Sequence, residues 1–442
     1  MRRVIKPVRS LKGVVRVPGD KSISHRALIF GALADGAVRI ENLSSARDVA
    51  HTAMCLQALG VIVQPLSPLL PSPSEGRGDG GEGEPAAGLI HNAGGLSPPS
   101  HVLDAGNSGT TMRLLAGLLA GQEFTATLTG DASLQKRPMR RVIEPLTQMG
   151  AKIESNGGFA PLKIMGQRLR GIRYELSVAS SQVKSALLLA GLHAHGVTTV
   201  IEPSPTRDHS ERMLRYLGVS VETVNGSVSV QCGARPRATP IPVPGDFSSA
   251  AFFLGAGALV PDAQITIENV GINPTRTGLL DVLREMGAQI SLQNEREVAN
   301  EPQGDLSVKT SELRGIEIGG ALIPRMIDEL PILAICATQA HGVTVIHDAH
   351  ELRVKETDRI RAVAENLKRM GAQIEERPDG WVIPGPQQLR GAVLDSFGDH
   401  RIAMAFAIAG LIAQGETVIE GAEWVDISYP GFFDDLERLS II

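Results

Sequence analysis

Val17-Pro-Gly-Asp-Lys-Ser-Ile-Ser-His-Arg-Ala-Leu-Ile-Phe-Gly-Ala-Leu33 reads as the end of a strand, a tight turn at Pro18 and Gly19, and then a helix. Asp20 or Ser22 is placed to cap that helix, and Ala27, Leu28, Phe30 and Leu33 give it an apolar face. Lys21 and Arg26 fall near its start, where free backbone N–H groups and the helix dipole already favour an anion. Cations do nothing for helix stability there, so their presence points to a bound anion. A solvated basic turn is the alternative.

The opening phrase returns letter for letter at Val243-Pro-Gly-Asp246. The same plan, a small or polar cap before an apolar helix, recurs at Asp104-Ala-Gly-Asn-Ser-Gly-Thr-Thr-Met-Arg113 and Ala179-Ser-Ser-Gln-Val-Lys184, and again at Arg325-Met-Ile-Asp-Glu-Leu330 and Ser396-Phe-Gly-Asp-His-Arg401. A second phrase, Leu-x-x-(Leu/Met)-Gly-(Val/Ala), is centred on Gly60, Gly150, Gly218, Gly287 and Gly371, and residues 436–441 form a worn sixth copy. Each copy is expected to end an amphipathic helix at a glycine cap and lead into an alternating strand. The result is six βαβ-like units with a period of about 70 residues.

Two intervals are longer than the rest. One contains residues 65–86, rich in Pro, Gly, Ser and Glu, which are expected to form a disordered insertion. Within it Gly78-Asp-Gly-Gly-Glu-Gly83 matches GxGxxG in letters only; it is acidic and lacks a strand-to-helix setting, so no dinucleotide site is read there. The other contains residues 291–304, expected as a lengthened hairpin. Six units are too many for one core and suit two domains, 1–18 plus 245–442 and 19–244.

Composition agrees with a soluble globular chain: 442 residues, 43% apolar and 21% charged. A net charge of −5 argues against general nucleic-acid binding. Cys55, Cys232 and Cys336 form no CxxC pair and lie in apolar segments, where they read as reduced core residues. The start lacks the apolar run of a signal peptide, and the other apolar runs are too short and glycine-rich to span a bilayer. A cytoplasmic protein with no membrane contact is expected.

Seven motifs in order then resemble one family. They are Pro18-Gly-Asp-Lys-Ser-Ile-Ser-His-Arg26, Gly106-Asn-Ser-Gly-Thr110, Lys136-Arg-Pro-Met139, Ser180-Ser-Gln-Val-Lys184, Met326-Ile-Asp-Glu-Leu-Pro331, Leu352-Arg-Val-Lys-Glu-Thr-Asp-Arg359 and Asp399-His-Arg-Ile-Ala-Met404. Over nearly its whole length, apart from the insertion, the chain is similar to the EPSP synthases (3-phosphoshikimate 1-carboxyvinyltransferases) of the enolpyruvyl transferase family. The resemblance implies an α/β (α+β) fold of two domains, each of three βαβαββ units, with an inter-domain active-site cleft. It implies transfer of the enolpyruvyl group from phosphoenolpyruvate to the 5-hydroxyl of shikimate 3-phosphate, with release of phosphate, in the shikimate pathway. No cofactor and no metal are implied, since Lys, Arg and helix N-termini can supply the counter-charge.

The resemblance also assigns roles. Lys21, Ser22, Arg26, Ser180, Ser181, Gln182, Arg207, Asp328 and Lys355 match the phosphoshikimate site. Lys21, Asn107, Gly109, Arg137, Gln182, Arg359 and Arg401 match the phosphoenolpyruvate site, where guanidinium forks suit a carboxylate and a phosphate. Asp328, Glu356 and Lys21 match catalytic positions, with Asp328 as the proton acceptor. On the residues alone, Ser180 reads equally as an N-cap, Glu356 as a solvated helix-face charge, and each arginine as a surface ion pair. The family binds glyphosate where phosphoenolpyruvate binds, against the glycine matched by Gly109. Two departures stand out: Thr111 and Leu114 replace a common alanine and proline, and no lysine occurs in Asp426-Ile-Ser-Tyr-Pro430. The sister transferase that uses UDP-N-acetylglucosamine is an alternative, but its mobile-loop cysteine has no counterpart near 104–140. A non-catalytic protein that binds anionic metabolites is another. A monomer is expected.

Overall fold

The computed structural model describes residues 1–65, 87–92 and 94–441; the expected insertion, from 66 onward, lies outside them. The chain divides into two compact units. One, the N-unit, comprises Pro18–Pro244 with the four residues Val298–Glu301. The other, the C-unit, comprises Met1–Val17, Gly245–Glu297 and Pro302–Ile442.

Among the described residues, six small mixed sheets carry the repeat. Arg173–Glu175, Val197–Ile201, Val221–Val224 and Ser227–Gln231 show its plan. The first two strands pair in parallel across the Ser181–Gly191 helix, and the last two close antiparallel ladders after the His209–Tyr216 helix. Leu103–Asp104 through Phe159–Met165 repeats that βαβαββ order.

Both V-P-G-D phrases mark a change of unit. Strand Ser10–Val15 pairs in parallel with Gln264–Gly271 in the C-unit, yet the helix it leads into, Lys21–Ala32, belongs to the N-unit. Conversely, Ile241–Pro242 pairs in parallel with Val38–Glu41 in the N-unit, and the helix after it, Phe247–Leu259, belongs to the C-unit. Each phrase therefore joins a strand that pairs in one unit to a helix that belongs to the other.

Three helices form the middle of each unit: Lys21–Ala32, Gly109–Ala120 and Ser181–Gly191 in one, Phe247–Leu259, Leu330–Gln339 and His400–Ile412 in the other. The single apolar face expected for Lys21–Ala32 is not what is found. Every residue from Ile23 to Ala32 is buried, Ser24, His25 and Arg26 included. The cause is its neighbours: it packs on strand Gly88–His91 and against the helices Arg47–Ala58, Gly109–Ala120 and His209–Tyr216. A helix enclosed on all sides has no solvent face to show in its pattern.

The five glycine caps have the expected form. Gly60, Gly150, Gly218, Gly287 and Gly371 all have φ between 80° and 108°. The next residue's N–H closes back on the leucine five before it, as from Val61 to Leu56 at 3.0 Å and from Ala288 to Leu283 at 2.8 Å. This six-residue closure satisfies carbonyls that the helix end would leave unpaired. Residues 291–304 lie in a hairpin of Gln289–Val298 and Glu301–Lys309. Its two-residue turn, Ala299-Asn300, has positive φ at both positions, as a type I′ turn requires. Cys55 and Cys336 are buried as expected, but Cys232 is exposed, in the turn after the short strand Ser227–Gln231.

Candidate active site

In the N-unit most of the expected residues lie at the starts of the three central helices; Arg137 follows the short turn Leu134–Lys136, and Arg207 lies just before the His209–Tyr216 helix. Asp20 caps the first by accepting from the Ile23 N–H at 2.8 Å, and Ser108 caps the second through the Thr111 N–H. Ser180 caps the third by accepting from the Val183 N–H at 3.4 Å, so its capping role is real. Lys21 at the first helix start is held by Asp48, Nζ to Oδ2 at 3.0 Å.

Arg26 is enclosed. Its Nε donates to Ser210 Oγ, Nη1 to the Ser22 carbonyl and Nη2 to Ser185 Oγ, each at 2.8 Å. Burial pulls its pKa down to about 10, while Glu211 and Asp20 raise it and Arg207 lowers it. The guanidinium thus stays charged at neutral pH, with neutral oxygens as its hydrogen-bond partners. Ser185 also donates to the Ser181 carbonyl at 2.6 Å, which ties Arg26 to the third helix start. Beneath it, the buried Lys184 ammonium lies 2.8 Å from Glu202 and 2.7 Å from Glu211.

A second group surrounds Gly109, the first residue of its helix. Arg137 donates to Asn107 Oδ1 at 2.6 Å, and Asn107 donates to Asp131 at 2.6 Å. Gln182 donates to Thr110 Oγ1 at 3.0 Å and accepts from Arg113 Nη1 at 2.5 Å. Arg113 was not among the expected site residues, although it closes the motif stretch that begins at Asp104. A methyl group on Gly109 would lie 2.8 Å from Arg113 Nη1 and 3.4 Å from Arg137 Nη1. Underneath runs a chain of side chains from His25 Nδ1 to Thr52 Oγ1 at 2.7 Å and on to Thr111 Oγ1 at 2.7 Å. Thr111 then donates to Ser108 Oγ at 2.8 Å. Burial, with Lys21 and Arg26 close by, holds the His25 pKa well below its ordinary value.

In the C-unit, Arg359 is the hub. Its Nε lies 2.8 Å from Asp399 Oδ2, Nη2 lies 2.6 Å from Glu356 and Nη1 lies 3.2 Å from Asp328. Burial would lower its pKa, but the three carboxylates raise it further. Asp399 also caps His400–Ile412 through the Arg401 N–H at 2.8 Å. One fully buried carboxylate therefore holds the Arg359 guanidinium and caps the helix that carries Arg401. Glu356 is not a helix-face charge: it sits in the turn before Arg359–Arg369, largely withdrawn from solvent by its pairing with Arg359.

Asp328 lies in the short turn between helices Ile323–Met326 and Leu330–Gln339. It faces Arg359, Lys355 at 3.8 Å and Arg401 at 3.7 Å. Partial withdrawal from water pulls the Lys355 pKa down, opposed by Asp328. Ile427, Ser428 and Tyr429 are all buried, so the segment without a lysine is packed into the fold. Among the described residues no cluster of three or more side chains suited to a metal ion is present, and no helix is long and apolar enough to cross a membrane.

Residues 5–436 match the family model described as EPSP synthase (3-phosphoshikimate 1-carboxyvinyltransferase). Among curated relatives, a 3-phosphoshikimate 1-carboxyvinyltransferase of Synechococcus sp. (strain WH7803) is 53% identical, covering 99% of this chain and 98% of the relative. One from Brevibacillus brevis is 51% identical, covering 99% of each. Among solved structures, EPSP synthase from Acinetobacter baumannii superposes with a TM-score of 0.85 at 42% identity, covering 100% of this chain and 98% of that one.

Proposed function

This chain belongs to the EPSP synthase family and carries out its enolpyruvyl transfer, and from that premise we propose how its residues divide the work. The substrates are shikimate 3-phosphate and phosphoenolpyruvate, both anions, and both units offer cations to them. In the N-unit, Lys21, Ser22, Arg26, Ser180, Ser181, Gln182 and Arg207 serve the phosphoshikimate. Asn107, Gly109, Arg137 and Gln182, joined by Arg113, serve phosphoenolpyruvate with Lys21. In the C-unit, Arg359 and Arg401 bind the carboxylate and phosphate of phosphoenolpyruvate, and Lys355 and Asp328 reach the phosphoshikimate.

The chemistry moves one proton off an oxygen and another onto and off a carbon. Asp328 accepts the proton of the 5-hydroxyl as its oxygen bonds to C2 of phosphoenolpyruvate. Glu356 protonates the methylene carbon, giving a tetrahedral intermediate. Glu356, left as a carboxylate, then takes a proton back from the new methyl group as phosphate leaves, which restores the double bond. The observation that carries this reading is the setting of Asp328, within 4 Å of Arg359, Arg401 and Lys355. Three cations there stabilise charge that develops as the hydroxyl is consumed. Cytoplasmic placement and a monomeric state complete the proposal; the second is tested by light scattering.

Asp328→Asn is expected to fold, to bind shikimate 3-phosphate, and to release phosphate 10²–10⁴-fold more slowly, about the loss seen when a general base is removed. Near-normal turnover in that variant would remove Asp328 from the mechanism. Wild-type phosphate release with UDP-N-acetylglucosamine as acceptor should stay at background.

A further inference from the structure

The turn Val298–Glu301 belongs to the N-unit, although the strands leading to it belong almost wholly to the C-unit. Its last residue carries a buried carboxylate. Glu301 Oε1 lies 2.7 Å from His209 Nδ1, and both side chains are nearly closed to solvent. The neighbouring Asn300 adds two bonds to the same helix: its carbonyl accepts from Arg212 Nη1 at 2.8 Å, and its Nδ2 donates to the Arg212 carbonyl at 3.3 Å. The hairpin tip thus grips the first turn of His209–Tyr216. That turn carries Ser210, which accepts from Arg26 Nε and lies 2.7 Å from Ser185 Oγ. It also carries Glu211, the partner of Lys184. Its N-cap residue, Asp208, makes no side-chain capping bond and instead accepts from Arg212 Nε at 2.9 Å.

We propose that Glu301 is a positioning residue for shikimate 3-phosphate: by holding His209 it fixes Ser210, and through Ser210 the direction of the Arg26 guanidinium. The inference rests on the reading that Arg26 serves the phosphoshikimate. A fork whose orientation is set by hydroxyl acceptors loses its aim when one acceptor moves by a fraction of an ångström. Glu301 also acts on Arg26 electrostatically, favouring its charged form.

Four variants test it. Arg26→Lys should raise the KM for shikimate 3-phosphate; if it does not, the underlying site reading is wrong and the inference falls with it. Glu301→Ala should raise that KM by about 10-fold while kcat and the phosphoenolpyruvate KM change by less than about 2-fold. Glu301→Gln, which can still accept from the imidazole, should stay within about 3-fold of wild type in every constant. The paired change Glu301→Leu with His209→Phe removes both buried polar groups and should restore melting temperature lost in Glu301→Ala. Its KM for shikimate 3-phosphate should nevertheless remain high. An unchanged KM in Glu301→Ala when Arg26→Lys raises it, or recovery of KM along with stability in the paired variant, would overturn the proposal.

Discussion

A single methyl group tests the phosphoenolpyruvate side. Gly109→Ala would place that methyl 2.8 Å from Arg113 Nη1, so it presses on a protein group as well as on any ligand lying against the glycine. We expect the glyphosate inhibition constant to rise by roughly 10-fold or more and the phosphoenolpyruvate KM by only a few-fold, since a longer ligand has less room to shift. Equal rises in both constants would mean the methyl acts through Arg113 alone. His25 offers a test by pH. Its native pKa is held well below 6.5, whereas in the unfolded chain it protonates near about 6.5. Below that pH the unfolded state binds the extra proton, so this group makes stability fall as pH drops. His25→Gln should therefore lose less melting temperature between pH 7.5 and 5.5 than wild type does; an equal loss would exclude His25 as a contributor. These residues also show what the letters conceal. A histidine within K-S-I-S-H-R gives no sign of its bond to Thr52, and Asp399 reads as a plain cap although it also holds Arg359. Arg113 carries no such sign either, because nothing in the apolar stretch around it encodes its bond to Gln182.

At the level of elements, much was legible because local rules act alone there. The glycine caps need positive φ, and only glycine reaches it without strain, so the phrase marks helix ends reliably. Gly371 isolates that cost, since a methyl there would meet nothing within 4 Å. Gly371→Ala should lower stability by roughly 1–2 kcal/mol through backbone strain only, and Gly371→Asn by less. Denaturant midpoints decide it, and equal stability of all three proteins would refute the assignment. The central helices were harder to read. Their faces are set by neighbours distant in sequence, as Lys21–Ala32 is by His209–Tyr216, and no periodicity within the helix encodes that. The lengthened hairpin was visible as extra residues, but spacing carries no information about which side chains its tip will meet.

For the whole molecule, the division of labour predicts an order in protection from hydrogen exchange. Shikimate 3-phosphate alone, at about 100 times its Kd, should slow exchange at helix starts 21–26, 181–185 and 209–211 by on the order of 10-fold or more. Protection at 399–403 should deepen only when a phosphoenolpyruvate analogue is added. Full protection of 399–403 by the first ligand alone would show that the roles are not divided in this way. The strand exchange at the two V-P-G-D phrases has a consequence for the chain during its synthesis. Arg2–Ile5 pairs with Thr417–Glu420, and Ser10–Val15 with Gln264–Gly271. At ribosomal rates of about 5–20 residues per second, the second of these strands waits roughly 12–50 s for its partner, and the first waits longer still. Throughout that time the N-unit emerges behind it. Residues 2–15 are thus made long before the strands that they pair with.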